Sequence, residues 1–257
     1  MPCIFCGTER LTREHIYSRA WMELLAPQAT NFTNSRAAGN RKAVPTNTWV
    51  SSEMDLVVRC VCSGCNSGWM NDLDLAAQKI VNALCRGEIG VKVVGDALRM
   101  FVTWAVKMAF AMECLLPETI SPQALRDRFY AAPEPPTGVR VWVSTMEGWE
   151  GETQTTPMSL VSAPEAGEVE QAYLVTFRML HLVVQVVVPL DERVRPEHDM
   201  WGKQHAEQAW PRRDPLEWPL PVERRLASVH DYYRLTESFG ANEPLRIKSD
   251  RPEADTT

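Results

Sequence analysis

Apolar residues recur at helical spacing in several segments of the chain. After position 65 they repeat every three or four residues, which predicts a helix over 66–85. The segment 96–116 is apolar around most of its circumference, with Arg99, Lys107 and Glu113 as its charged residues after the first turn, and predicts a buried helix. Shorter helices are predicted at 16–25, at 222–235 and at 121–130, the last with Ser121 as N-cap.

The pattern changes to β after position 138. Strands are predicted at 139–143, 158–162, 173–178 and 181–188, the last two as a hairpin. The segment 29–48 is rich in Asn, Thr, Ser and Arg and lacks periodicity, so it is interpreted as a long loop.

These elements predict an α+β fold in three parts. A small cysteine-rich N-terminal module is expected over 1–90, and an α+β domain with a helical segment and an antiparallel sheet over 91–247. Residues 248–257 are expected to be a disordered tail.

The composition is that of a globular protein. Of 257 residues, 45% are hydrophobic and 23% are charged. No apolar run reaches the roughly 18 to 20 residues that a membrane-spanning helix needs, and no secretory signal pattern is visible. We therefore expect a cytoplasmic protein that does not enter a membrane.

Charge is distributed unevenly along the chain. Residues 1–90 hold nine Lys/Arg and eight Asp/Glu, whereas the remainder holds 18 and 25, within a formal net charge of −6. No acid occurs over 24–52, where Arg36, Arg41 and Lys42 lie. Together with Arg13, these residues are the candidates for contacting nucleic-acid phosphates; the alternative is an ordinary solvated surface.

Closely grouped cysteines are the strongest chemical signal. Cys3/Cys6 and Cys62/Cys65 form two Cys-x-x-Cys pairs, and each two-residue spacer permits a tight turn that aims both thiolates at one ion. The pairs together predict a closed, structural zinc site, with Cys60 in place of Cys62 as an alternative. Metal binding is favoured over disulfides, and no βαβ unit indicates a redox motif. The last two cysteines are expected to pack in the core: Cys85 and Cys114.

Three residues with oxygen or nitrogen donor atoms follow the cysteine pairs closely in the sequence. Glu14 and His15 follow the first pair by eight residues, and Asn66 follows the second pair directly. Zinc binding would bring these positions together, and carboxylate and amide oxygens are ligands for Mg²⁺ and Mn²⁺. The spacing indicates a divalent-ion site at Glu14 and Asn66, with His15 as a candidate base.

In this order, the motifs resemble the HNH endonucleases, zinc-stapled nucleases of the ββα-metal class. The resemblance is carried by Cys3-x-x-Cys6, the 11–16 segment LTREHI, Cys62-x-x-Cys65-Asn66 and the segment CNSGWMNDLD that is shared with a bacterial subgroup. It implies His15 as the general base, Glu14 in the place of the family's metal-binding Asp, and Asn66 as the second metal ligand. Asn47 is the nearest counterpart of the family's middle Asn.

The function that the resemblance implies is a metal-dependent endonuclease with DNA as the expected substrate. Zinc would be structural. Mg²⁺ or Mn²⁺ would neutralise negative charge on the phosphate oxygens, and His15 would remove a proton from the attacking water. Two alternatives stay open. One is a non-catalytic zinc module that binds nucleic acid or a protein partner, and the other is an unrelated zinc-stabilised enzyme.

Overall fold

The computed structural model describes the chain in nine segments. They comprise residues 2–17, 21, 32–37, 45–51, 57–116, 118–147, 153–162, 170–190 and 197–239. The predicted tail over 248–257 and most of the predicted helix over 16–25 lie outside the described residues.

Two antiparallel strand pairs form the N-terminal part. β1 (Leu11–His15) pairs with β4 (Val57–Cys62), and β2 (Phe32–Ala37) pairs with β3 (Pro45–Ser51). The interpretation of 29–48 as a long loop is therefore wrong. The β2 and β3 sequences lack the regular alternation of apolar and polar residues by which a strand is predicted from sequence.

A helix follows β4 without an intervening loop. A short helical turn (Ser63–Cys65) and a π-helical turn (Asn66–Met70), kinked at Gly68, where φ is −95° and ψ is −121°, lead into α1 (Asn71–Cys85). The helix predicted over 66–85 is confirmed over 71–85, and the kink interrupts its first residues. Strand, antiparallel strand and helix thus follow in the order β1, β4, α1.

The central element is α2 (Gly95–Glu113), in which 14 of 19 residues are buried. Its last residue supports the start of α3 (Gln123–Ala131), because the Glu113 carboxylate accepts hydrogen bonds from the backbone N–H groups of Ile120 and Ser121. The prediction of Ser121 as N-cap is wrong: Pro122 occupies that position, and no side chain caps the helix, while Glu113 fixes the two residues before the cap.

A five-stranded antiparallel sheet forms much of the second half, in the order β10-β6-β9-β8-β7. Its strands are β6 (Arg140–Thr145), β7 (Thr153–Ser162), β8 (Glu170–Met179), β9 (Leu182–Pro189) and β10 (Glu207–Trp210). The predicted α+β class with an antiparallel sheet is confirmed.

Both faces of this sheet are buried. Alternate residues of β8 join different hydrophobic clusters: Tyr173, Val175 and Phe177 pack with α2, whereas Ala172 and Leu174 pack on the other side. Two short helices, α4 (Met200–His205) and α5 (Val229–Thr236), supply residues to that second cluster, as does the chain that follows α5. The remaining elements are β5 (Val91–Val93), which pairs with β11 (Leu216–Trp218), and a 3₁₀ turn (Val222–Arg224).

The hydrophobic core runs without a break from the N-terminal cysteines to the sheet. One cluster includes Cys3 and Phe5, the inner faces of α1 and α2, and Trp218. The division of the chain near position 90 stays a prediction. No helix within the described ranges combines the length and apolarity needed to cross a membrane.

Candidate metal centre and neighbouring acidic pair

The two Cys-x-x-Cys turns converge on one point. The Sγ atoms of Cys3 and Cys65 lie 3.8 Å apart, those of Cys6 and Cys62 lie 3.4 Å apart, and all four lie within 4.8 Å of one another. Four sulfurs at about 2.3 Å from a tetrahedral zinc ion are separated by about 3.8 Å. The predicted cluster is confirmed, and it can hold a structural zinc ion.

Local backbone geometry shapes each turn. Gly7 has φ 73°, a conformation that favours glycine, and its N–H donates to the Cys3 carbonyl over 3.0 Å. In the second turn, the Cys65 N–H donates to Cys62 Sγ over 3.5 Å. Ile4 N–H donates to the Cys60 carbonyl over 2.9 Å and so ties the first turn to β4.

The thiols of the cluster differ in acidity. A hydrogen bond with Thr8 lowers the pKa of Cys6 to about 6, whereas burial raises the pKa of Cys65. Zinc is bound by thiolates, so filling the site releases protons from the buried thiol and couples metal affinity to pH.

The other cysteines do not join this cluster. Cys60 forms a disulfide with Cys114, with their Cα atoms 6.4 Å apart, and Cys85 is fully buried. The expected packing of Cys85 in the core is confirmed. The alternative in which Cys60 replaces Cys62 as a zinc ligand is wrong. Cys114 was expected only to pack in the core, and it is also cross-linked to Cys60. The bond joins β4 to the end of α2, a pairing between distant positions that cysteine spacing does not reveal.

Glu14 is a buried acid. The residue lies on β1 and is 8% exposed. Burial raises the pKa of Glu14 to about 7, against a lowering by Lys107 and a further rise due to Asp74. A buried acid with a strongly shifted pKa is a candidate for a functional site.

Asp74 on α1 is the acid whose charge raises the pKa of Glu14. Its Oδ1 accepts a hydrogen bond from Lys107 Nζ over 2.7 Å and another from Trp104 Nε1 over 3.0 Å. Both donors are on α2, and the Lys107 side chain is 2% exposed. Oδ2 of Asp74 accepts no hydrogen bond within the described part of the chain.

The strand register separates Glu14 from the cysteine turn. Leu11 lies opposite Cys62, beside the start of the helical segment, whereas Glu14 lies opposite Val58, about 10 Å further along the strand. Asn66 directly follows the second cysteine pair, and Asp74 lies in the first turn of α1, beyond a kink at Gly68. The role predicted for Asn66 stays a prediction.

Within the described residues, the four cysteines are the one group of three or more Cys, His, Asp or Glu residues placed to hold a metal ion. The second ion that the sequence indicated, Mg²⁺ or Mn²⁺ at Glu14 and Asn66, stays a prediction.

His15 ends β1 and is half-buried. Consecutive strand residues face opposite sides, so the alternation that turns Glu14 inward directs His15 to the side of exposed Arg13. Arg59 on β4 is also exposed and was not a predicted contact. Arg36 is opposite Asn47 in the β2–β3 pair. The other two predicted phosphate contacts lie outside the described residues: Arg41 and Lys42.

Comparisons with family models, with curated proteins and with solved structures find no match to this chain. The resemblance to HNH nucleases therefore stays a prediction from the motifs.

Sequence reasoning missed Asp74 and Lys107 as members of the site. A signal was present, because Lys107 is a charged residue in the middle of a helix that is otherwise apolar on nearly every side. Lysine is almost never fully buried without a partner. The sequence does not identify that partner, because it depends on how α1 packs against α2.

Proposed function

We propose that this protein is a metal-dependent nuclease that hydrolyses phosphodiester bonds, with DNA as the expected substrate. The observation that carries the proposal is the order of β1, β4 and α1 around the cysteine cluster, with the buried acid Glu14 and His15 at the end of β1. This is the arrangement that the resemblance to ββα-metal nucleases leads one to expect.

The groups of the site have distinct tasks in this proposal. His15 accepts a proton from the attacking water, the role in which imidazole is most often used. Glu14 and Asp74 would hold Mg²⁺ or Mn²⁺, in place of the Glu14–Asn66 pair that the sequence indicated. Such an ion would stabilise the negative charge that develops on the phosphate oxygens.

Substrate contact is assigned to the outer face of the β1–β4 pair. Arg13 and Arg59 are both exposed there, and guanidinium groups suit phosphate oxygens. The chain as a whole carries a net charge of −6, so binding to nucleic acid would depend on this local patch. Its affinity should fall steeply as salt concentration rises.

The test is nicking of supercoiled plasmid by the full-length, zinc-loaded chain with Mg²⁺ or Mn²⁺. We expect His15→Ala to lower the rate by about 10² or more, the scale of general-base catalysis. His230→Ala is the matched control, because His230 is an exposed histidine on α5. Chelation of the added ion should stop the reaction, and its restoration should restart it. Equal nicking by His15→Ala and the control would refute the assignment of the base.

One observation favours a second candidate, a non-catalytic zinc module that binds nucleic acid. Strand alternation sends Glu14 and His15 to opposite faces of β1, and Glu14 is nearly closed off from solvent. The absence of cleavage of plasmid, single-stranded DNA and RNA, together with salt-dependent binding of a labelled oligonucleotide that Arg13→Ala weakens, would favour this candidate.

A further inference from the structure

The first cysteine turn is held at Ile4 from two sides. The Ile4 N–H donates to the Cys60 carbonyl on β4 over 2.9 Å, and the Ile4 carbonyl accepts a hydrogen bond from Gln123 Nε2 on α3 over 2.8 Å. Ile4 lies between Cys3 and Cys6 in the sequence, so both hydrogen bonds fix the backbone of the turn that presents these thiols. The geometry of the cluster therefore depends on how β4 and the start of α3 lie relative to each other.

A disulfide connects these two supports. Cys60 on β4 is bonded to Cys114, the residue that follows α2, and the two positions are 54 residues apart in the sequence. Glu113 directly precedes Cys114, and its buried carboxylate accepts hydrogen bonds from the backbone N–H groups of Ile120 and Ser121, just before α3. The route from β4 to the start of α3 thus consists of one covalent bond and one buried carboxylate.

The two cysteines of this bond differ in exposure. Cys60 is 1% exposed, whereas Cys114 is half-buried at the end of α2. A small reductant therefore has access from the Cys114 side, and exposed disulfides are the ones that are reduced most readily. Cys62, a thiol of the metal cluster, follows Cys60 by two residues on the same strand. Opening the bond would thus act next to the cluster.

We propose that the Cys60–Cys114 disulfide is a redox switch that controls how tightly the four-cysteine cluster holds zinc. In the oxidised chain the bond keeps β4 and the start of α3 in the positions at which both backbone groups of Ile4 are hydrogen-bonded. In the reduced chain only non-covalent contacts join these supports, so the first turn is less well fixed and zinc is held less tightly. The inference concerns zinc and does not rest on nuclease activity.

The switching step is thiol–disulfide exchange. A thiolate of a small reductant attacks Cys114 Sγ, the protein S–S bond breaks, and Cys60 leaves as a thiolate that takes up a proton. A second thiol of the reductant attacks the mixed disulfide and frees Cys114, so that two electrons pass to the protein and the reductant leaves as its own disulfide. A small disulfide oxidant such as oxidised glutathione drives the same steps in reverse.

The test measures the zinc affinity of the full-length chain in both redox states by competition with a chromophoric chelator. Oxidised glutathione, applied to the zinc-loaded chain, prepares the oxidised state. A phosphine prepares the reduced state, because it adds no thiol that competes for the metal. Both reagents are removed before the measurement, and air is excluded.

Alkylation of the unfolded chain in the presence of a chelator, followed by intact mass, verifies each state. It should count five free thiols in the oxidised chain and seven in the reduced chain. Wild type is compared with Cys114→Ala, which cannot form the bond, and with Cys85→Ala. Cys85 is the matched control, because it is a buried cysteine outside both the cluster and the disulfide.

We expect oxidised wild type to hold zinc at least about tenfold more tightly than reduced wild type, the scale on which groups that support metal ligands act. Cys85→Ala should show the same difference. Cys114→Ala should match reduced wild type after either treatment. Equal zinc affinities of oxidised and reduced wild type would overturn the proposal, as would seven free thiols after treatment with oxidised glutathione. The comparison of the two states of wild type does not depend on the folding of any variant.

Gln123→Ala tests the route from the disulfide to the cluster. This variant removes the hydrogen bond to the Ile4 carbonyl, so the difference in zinc affinity between the two redox states should shrink. Asp127→Ala is its control, because Asp127 accepts the other hydrogen bond of the Gln123 amide over 2.7 Å and the variant leaves Ile4 unaffected. An undiminished difference in Gln123→Ala would overturn the assigned route through Ile4.

Discussion

The raised pKa of Glu14 makes the stability of the fold depend on pH. The unfolded chain releases this proton near the ordinary value of 4.5, whereas the folded chain retains it until about pH 7. Between these values the folded state binds more protons than the unfolded state. Stability should therefore fall as pH rises through this range, and Glu14→Gln should abolish this part of the fall.

The magnitude follows from the two pKa values. A shift from 4.5 to about 7 corresponds to about 3 kcal/mol at pH 8, where both states are ionised, and to about 1.4 kcal/mol at pH 5.5. Glu14→Gln keeps the shape of the protonated acid. The stability advantage of the variant over wild type should thus grow by about 2 kcal/mol between these pH values.

Urea denaturation of wild type and Glu14→Gln, in buffer without added Mg²⁺ or Mn²⁺, measures this difference at each pH. Other groups titrate in both proteins, so subtracting one curve from the other isolates Glu14. A difference that stays constant from pH 5.5 to 8 would refute the assignment of a protonated, buried Glu14. If the stability advantage of the variant shrank with rising pH, the pKa of Glu14 would be lowered in the folded chain instead of raised.

Three further results are expected. Cys62→Ser should lower the zinc content measured by mass spectrometry and destabilise the chain by about 3 kcal/mol or more, since structural zinc contributes directly to folding; full zinc occupancy would contradict this. Asp74→Asn should lower plasmid nicking by about 10² and Asn66→Ala by less than about tenfold, whereas the opposite order would return the ion to Asn66. Gly202→Ala should cost about 2 kcal/mol or more in thermal unfolding, because an added Cβ would lie 2.5 Å from Ser238 Oγ; a wild-type melting temperature would contradict this.

The zinc cluster could be predicted from sequence because each half of it is local. A two-residue spacer and a following glycine such as Gly7 determine how one turn presents its thiols, and the geometry needed is contained in a few residues. The helices over 71–85 and 95–113 were predictable for a related reason. Their apolar residues recur at helical spacing because one or more faces of each helix are buried.

The acidic pair could not be predicted in the same way. The position of Glu14 depends on the register of β1 on β4, and Lys107 reaches Asp74 only when α2 packs against α1. The charges of Asp74 and Lys107 then act on the pKa of Glu14. Each of these is a long-range relation. The order of motifs along the chain therefore indicated an acid beside a helix, but it directed attention to Asn66, the first polar residue after the cysteines.

The zinc cluster and the acidic pair are physically linked through β4. Because Cys62 ends that strand and lies opposite Leu11, the zinc turns hold the end of β1 from which the position of Glu14 is counted. Cys65 ends the turn that leads through the kink at Gly68 into α1, the helix on which Asp74 lies. A slip of one residue in β1 would turn Glu14 to the other face of the strand pair. A zinc ion in the cluster would therefore contribute no chemistry to the proposed reaction, yet it would determine which side Glu14 faces.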